Sequence, residues 1–222
     1  MELRMFKNVQ EMERAAVALL AARLGKTTAQ PHAVILPGGR TPRGIYEKLR
    51  LSPVRTGPAL RVLLSDERHV PPDSPESNYG AMKEMIHALG LKASHVLRVH
   101  AELPLEEAAN RYDAELKSYF RKGGRITLGL LGLGADGHTA SLFTSQDILR
   151  GRGRLAIAVK RPDGLSGVSV TRDLLLKAER IVFIAAGTEK GEIVTRLMKN
   201  PGSIPAGMAT EDIRNVEVWY AP

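Results

Sequence analysis

Apolar residues recur along this chain in two patterns, one at helical spacing and one as short continuous runs. Residues 8–24 carry Val9, Met12, Ala15, Ala16, Leu19, Leu20 and Leu24 on one helical face, with Gly25 where a helix would stop. Ala33–Leu36 is a short apolar run, cut by Pro37-Gly38-Gly39-Arg40-Thr41-Pro42 before helical spacing resumes over Gly44–Leu49. That unit predicts strand, glycine turn and helix. Leu60–Leu64 predicts a second strand, ending on charge at Ser65-Asp66-Glu67-Arg68. A polar loop with Pro71, Pro72 and Pro75 then leads to a helix over Asn78–Leu89. A short strand is expected over His95–Val99. Leu105, Ala108, Ala109, Tyr112, Leu116, Tyr119 and Phe120 form the cleanest helical stripe, opened by Pro104 and closed by Gly123-Gly124.

The stretch Ile126–Thr144, ITLGLLGLGADGHTASLFT, is the feature around which the rest is arranged. Its apolar run Leu128–Leu133 predicts a buried strand opening into a glycine-rich turn that bears Asp136 and His138, and Thr139–Phe143 reads as the first turn of a following helix. Beyond it, Leu155–Val159, Val168–Thr171, Ile181–Ala185 and Val216–Tyr220 predict strands, and Glu189–Met198 a helix. Strands alternating with helices imply an α/β fold with a mostly parallel sheet covered by helices on both faces. No internal repeat, low-complexity tract or long linker divides the chain, so residues 1–222 are expected to form a single domain. In such folds a strand-to-helix turn lies at the carboxyl end of the sheet, where ligands bind.

Composition narrows the function. Cysteine is absent, which excludes disulfides and thiolate metal sites and fits a reducing compartment. The amino terminus is charged from its second residue, and no run of about eighteen apolar residues occurs. Neither a signal peptide nor a membrane span is expected, and a cytoplasmic location is. Lys and Arg (32) exceed Asp and Glu (24) by 8, but the basic residues are scattered, with Arg150–Arg154 the only dense run. Without basic and aromatic residues interleaved as a stacking platform, a solvated surface and a small anion in one pocket stand ahead of nucleic acid.

Several clusters carry possible chemistry. Gly38-Gly39-Arg40-Thr41 gathers backbone N–H groups, a hydroxyl and a positive helix end at one point, an arrangement suited to phosphate. A tight turn with glycines for geometry alone explains the same residues. It is not a Walker A loop, because Ile45 stands where that motif needs Lys. Gly132-x-Gly134-x-x-Gly137 formally matches the dinucleotide fingerprint, but Lys160-Arg161 ends the next strand where an acid should hold the ribose, and Asp136 would repel a pyrophosphate. No nicotinamide cofactor is expected. Asp136 and His138 are two apart across Gly137, close enough for a carboxylate to orient an imidazole suited to acid–base work near neutrality. A histidine merely exposed in a turn is the alternative. Asp66-Glu67-Arg68-His69 reads as a metal site or a salt-bridged loop. With no H-E-x-x-H spacing and only one carboxylate pair, no metal is expected. Arg68 is placed either to reach a substrate or to form a structural ion pair.

Three segments in this order, LPGGRTPRGIYEKL, LLSDERHVPPDSPESNYGAM and LGLGADGHTASLF, resemble the 6-phosphogluconolactonase family, within the wider group that includes glucosamine-6-phosphate deaminases. The resemblance runs from about Val34 to Trp219 and includes Gly187-Thr188-Glu189-Lys190, similar to the family's G-x-E-K. It implies a Rossmann-like three-layer sandwich that hydrolyses 6-phospho-D-glucono-1,5-lactone to 6-phosphogluconate in the pentose phosphate pathway, without a cofactor. It further implies a small phosphosugar lactone as the only partner, no nucleic acid or membrane, and a monomer or weak homodimer. Carried across by residue, it makes His138 the catalytic base steered by Asp136, puts Arg68 near the lactone with Asp66 beside it, and places the phosphate on Gly38, Gly39, Arg40, Thr41 and Lys190. The deaminase relatives carry a Glu some residues after D-G-H, whereas Thr139–Gln146 contains no acid.

One departure stands out. The family commonly reads R-x-[ST]-x-T, its Arg gripping phosphate, where this chain reads Gly167-Val168-Ser169-Val170-Thr171. Strand alternation puts Arg172 on the wrong face to replace it, leaving Lys160, Arg161 and Arg43 as candidates. A sugar-phosphate-binding protein without turnover is the reading that follows if none of them serves.

Overall fold

The computed structural model describes residues 1–222. Its elements run β1 (Glu2–Met5), α1 (Val9–Leu24), β2 (His32–Leu36), α2 (Arg40–Leu51), β3 (Leu60–Leu64), β4 (Asp66–Arg68), α3 (Asn78–Ala88), β5 (Val96–Leu97), α4 (Leu105–Arg121) and β6 (Arg125–Gly132). The second half adds α5 (Ser145–Arg150), β7 (Ala156–Lys160), β8 (Ser166–Val170), α6 (Arg172–Leu175), β9 (Ile181–Ala186), α7 (Gly191–Lys199), α8 (Pro205–Thr210) and β10 (Val216–Ala221).

The apolar runs become a seven-stranded sheet ordered β1-β10-β9-β6-β2-β3-β5, and every pairing within it is parallel. Parallel strands buried on both faces need apolar residues at consecutive positions, which is why these strands read as unbroken runs. Along β2, Val34 and Leu36 join the core beneath α1, α2 and α3, while Ala33 and Ile35 join the core on the opposite face, which holds α4, α7 and α8. This is the α/β sandwich with both faces covered that the alternating pattern implies.

Chain order sets the position of the ligand crevice. From β2 the chain proceeds outward through β3 to β5, then returns to place β6 on the other side of β2 and continues outward through β9 to β10. The carboxyl ends of β2 and β6 therefore open beside each other at a topological switch point, with nothing crossing between them.

The structure departs from the sequence reading at four places. A second sheet, β4-β8-β7, is antiparallel and lies beside the main one, so Asp66-Glu67-Arg68 is a strand rather than a charged loop. Its three polar side chains hide it from any apolar pattern. Helix α2 begins at Arg40, four residues before the expected Gly44. Gly39 caps it at φ 99°, and Pro42 falls in the first turn, where a missing N–H costs nothing. Thr139–Phe143 is not a helical turn: Ala140 takes φ 50°, Thr139 Oγ1 donates to the Gly132 carbonyl at 2.9 Å, and the Ser141 N–H donates to Ser169 Oγ at 3.1 Å. Helix α5 starts at Ser145 instead, where Thr144 and Asp147 form a reciprocal capping box. Finally, β1, α6 and α8 went unread because they are short, and all four residues of β1 are exposed.

Thr144→Ala is expected to lower stability by about 1 kcal/mol, the usual worth of an N-cap, measured by urea unfolding. Were Thr144 an interior residue of a helix begun at Thr139, alanine would raise stability instead.

Candidate active site

The turn after β6 is built to hold two side chains together. The Gly134 N–H donates to the His138 carbonyl at 2.9 Å and the Gly137 N–H to the Gly134 carbonyl at 3.0 Å, closing residues 134–138 into a tight loop. Three outside contacts clamp it: Thr139 Oγ1 on the Gly132 carbonyl, Lys190 Nζ on the Leu133 carbonyl at 2.9 Å, and the Ala206 N–H on the Gly137 carbonyl at 2.9 Å. Within it, Asp136 Oδ1 accepts from His138 Nδ1 at 2.5 Å and from the His138 N–H at 3.1 Å. A side chain at Gly134 would occupy the space of that Asp–His pair. The imidazole also packs on Phe143, ring centroids 4.5 Å apart.

Burial raises the Asp136 carboxyl, but the charge of a protonated His138 and the hydrogen bonds from it outweigh burial and hold the group below the ordinary carboxylate value. With Nδ1 engaged by Asp136, Nε2 is the ring atom left without a protein partner.

Asp136 stands behind His138. Every other residue singled out from the sequence, namely His138, Arg68, Asp66, Gly38, Gly39, Arg40, Thr41 and Lys190, lines one cavity of about 700 Å³ at the switch point. Gly38–Thr41 enters it as the turn from β2 into α2. That helix has no side-chain cap and no acid in its first turn, so its amino-terminal N–H groups and positive dipole end are left for an anion. Lys190 arrives from the turn after β9. Burial lowers its ammonium pKa, and Glu189 and Asp136 offset part of that effect.

Asp66 and Arg68 come from β4. Asp66 is buried and accepts from Ser65 Oγ at 2.6 Å and Ser141 Oγ at 2.8 Å. Arg68 makes no ion pair: its Nη1 donates to the Glu76 carbonyl at 2.7 Å, and its buried Nε has no partner. The structural ion pair expected as the alternative role of Arg68 therefore does not form, while the residue lines the cavity. Between them, Glu67 turns the other way and caps α3, its carboxylate accepting from the N–H groups of Asn78 and Tyr79, each at 2.7 Å. Burial pushes the Glu67 carboxyl up, although those N–H groups oppose the rise.

Two wall residues escaped the sequence reading. Asn78, buried at the start of α3, donates to the Asp66 carbonyl at 3.0 Å and fills the space a side chain at Gly38 would need. The spacing predicts a helix from Asn78, and Ser77 is a recognisable N-cap, but no local pattern brings the Asn78 side chain to Gly38. Arg161, named only as one of three substitutes, also lines the wall. No group of three or more His, Asp or Glu side chains is arranged to hold a metal ion, and no helix is long and apolar enough to cross a membrane.

Comparison with known proteins agrees with this geometry. The family described as glucosamine-6-phosphate isomerases/6-phosphogluconolactonase matches residues 7–219. A 6-phosphogluconolactonase of Haemophilus influenzae is 31% identical over 197 residues, 86% of this chain and 84% of the relative. The human 6-phosphogluconolactonase is 32% identical over 215 residues, 90% of this chain and 82% of the relative. The crystal structure of the Thermotoga maritima 6-phosphogluconolactonase superposes with a TM-score of 0.82 at 26% identity, covering 99% of this chain and 98% of that one. A match that begins before β2, ends in β10 and takes in every wall of the cavity shows that the chain belongs to the glucosamine-6-phosphate isomerase/6-phosphogluconolactonase family.

Proposed function

We propose that this chain hydrolyses 6-phospho-D-glucono-1,5-lactone to 6-phosphogluconate, the pentose phosphate pathway reaction, with no cofactor. The observation that carries this is the Asp136–His138 pair facing the same cavity as an uncapped helix end and Lys190. An acid–base group thus stands across from an anion cradle. The relatives named 6-phosphogluconolactonase, above 30% identity over most of the chain, supply the identity of the sugar.

Asp136 holds the proton of the imidazole on Nδ1, leaving Nε2 as the basic atom. Nε2 takes a proton from water as the water oxygen bonds to the lactone carbonyl carbon. The charge that develops on the carbonyl oxygen is met by the Arg68 guanidinium. Collapse breaks the bond from that carbon to the ring oxygen, and the proton on His138 passes to the departing oxygen, giving the hydroxy acid. The phosphate meanwhile rests on the Gly38–Thr41 turn and Lys190, where helix N–H groups and an ammonium meet its charge. Lys190, short of solvation in the free protein, gains most from that contact.

A deaminase needs a further acid after the D-G-H sequence to manage ring opening. The first acid beyond His138 is Asp147, and it is committed to capping α5, accepting from the N–H groups of Phe143 and Thr144 at 3.1 and 3.0 Å. That favours lactone hydrolysis. The chain acts as one domain over residues 1–222, as a monomer or weak homodimer in the cytoplasm, with no nucleic-acid or membrane partner.

His138→Ala is expected to lower kcat by about 10²- to 10⁴-fold, the usual range for general-base assistance, in an assay that subtracts spontaneous opening of the lactone. Wild-type turnover in that variant would remove His138 from the mechanism. Asp136→Asn keeps the shape of the side chain but removes the carboxylate that holds His138 Nδ1, and kcat is expected to fall in the same assay with KM changed much less. Lys190→Met is expected to raise KM by about tenfold, the loss of one charge-assisted hydrogen bond, with kcat changed much less.

A further inference from the structure

The β7–β8 hairpin settles which cation can take the place of the arginine absent at Gly167. In the antiparallel register Val159 faces Gly167 and Lys160 faces Ser166, and the Arg161 N–H continues the ladder onto the Leu165 carbonyl at 2.9 Å. Alternation then puts Val159 and Arg161 on the face of Gly167 and Lys160 on the other, where Lys160 is exposed. Arg161 is the diagonal neighbour of Gly167, within reach of a long side chain. A Cβ built on Gly167 would meet Arg161 Cδ at 3.4 Å and the Glu67 carbonyl oxygen at 2.7 Å. A side chain at 167 would therefore collide with the β4 backbone, and Arg161 lies alongside in van der Waals contact. Arg43 is elsewhere: it points to the Pro75 carbonyl and lines a separate cleft between α2 and α3.

Arg161 is held in place. Its side chain is only 8% exposed. Nη1 donates to Ser141 Oγ at 2.7 Å and lies 3.9 Å from Asp66 Oδ2, Nε and Nη2 reach Asp163 at 3.1 and 2.8 Å, and the guanidinium sits over Phe143, 5.2 Å from the ring centre. Asp163 also accepts from the Leu165 N–H at 3.2 Å, so the turn Arg161-Pro162-Asp163-Gly164 that reverses the hairpin also fixes the direction of the arginine. These bonds use three of the five guanidinium protons, and Arg161 lines the cavity.

We propose that Arg161 is the substrate-binding arginine of this chain, gripping the phosphate of the sugar from the β7–β8 hairpin in place of a side chain at 167. This rests on the lactonase reading for the substrate, while the phosphate contact itself does not depend on turnover.

The test measures KM and kcat on the phosphorylated lactone, together with calorimetric affinity for 6-phosphogluconate, gluconate and inorganic phosphate, in Arg161→Gln, Arg161→Lys, Lys160→Gln and Arg43→Gln. Loss of a charge-assisted contact predicts a rise in KM of about 10- to 100-fold for Arg161→Gln. Its kcat should stay within about threefold, 6-phosphogluconate and phosphate should bind correspondingly more weakly, and gluconate should bind as before. Arg161→Lys should fall between that variant and the wild type, and the Lys160 and Arg43 variants should match the wild type. An unchanged KM and phosphate affinity in Arg161→Gln, an equal loss for gluconate, or a KM rise in the Lys160 or Arg43 variant instead would each overturn the assignment. Should Arg161→Gln fail to fold by circular dichroism, wild-type KM and phosphate affinity in Arg161→Lys would do the same. If the wild type binds phosphate through Arg161 but opens no lactone, the lactonase reading fails and the arginine assignment stands.

Discussion

An all-parallel sheet whose chain reverses its outward progression between β2 and β6 is the constraint on which the rest of this molecule depends. Parallel strands send every strand-to-helix turn to one edge, and the reversal holds two of those turns apart without a crossing connection. One follows β2 and becomes the uncapped start of α2; the other follows β6 and becomes the Asp136–His138 loop. The two halves of the site are more than ninety positions apart in the chain, yet β2 and β6 are direct neighbours. Their separation is set by strand spacing rather than by any loop, so an uncapped helix end on one side and the Asp136–His138 pair on the other are positioned by the core.

The second sheet supplies what the first cannot. Strand β4 leaves the carboxyl end of β3 and sends Asp66 and Arg68 into the cavity while Glu67 points away to cap α3. Alternation along a three-residue strand thus lines the cavity with one face and caps a helix with the other. A chain of polar contacts runs along the cavity wall: Asp66 accepts from Ser141, Ser141 accepts from Arg161, and Arg161 donates in turn to the exposed Asp163.

How much of this could be read from the sequence follows the physics of burial. Strands β2, β3, β6, β9 and β10 were legible because both their faces are buried, which leaves an apolar run with no competing interpretation. Helix α4 was legible because one face is buried and the other wet. What escaped is stabilised by particular hydrogen bonds rather than by pattern. Strand β4 is held by pairing with β8, and the turn at Thr139–Phe143 by side-chain oxygens and a left-handed Ala140. Of the site, His138 and Asp136 were visible through the glycines around them, and Gly38–Thr41 through its place between strand and helix. Asn78 was not, because its role depends on an approach to Gly38 that no local pattern encodes.

The two walls of the cavity differ in how much change their geometry allows. In the Asp136–His138 loop, backbone bonds of Gly134, Gly137 and His138 close the turn, and a side chain at Gly134 would displace the Asp–His pair. On the antiparallel sheet, by contrast, residues on the same face of neighbouring strands lie within reach of the same point. Position 167 is held to glycine by the β4 backbone: a Cβ there would lie 2.7 Å from the Glu67 carbonyl oxygen, with Arg161 Cδ alongside at 3.4 Å.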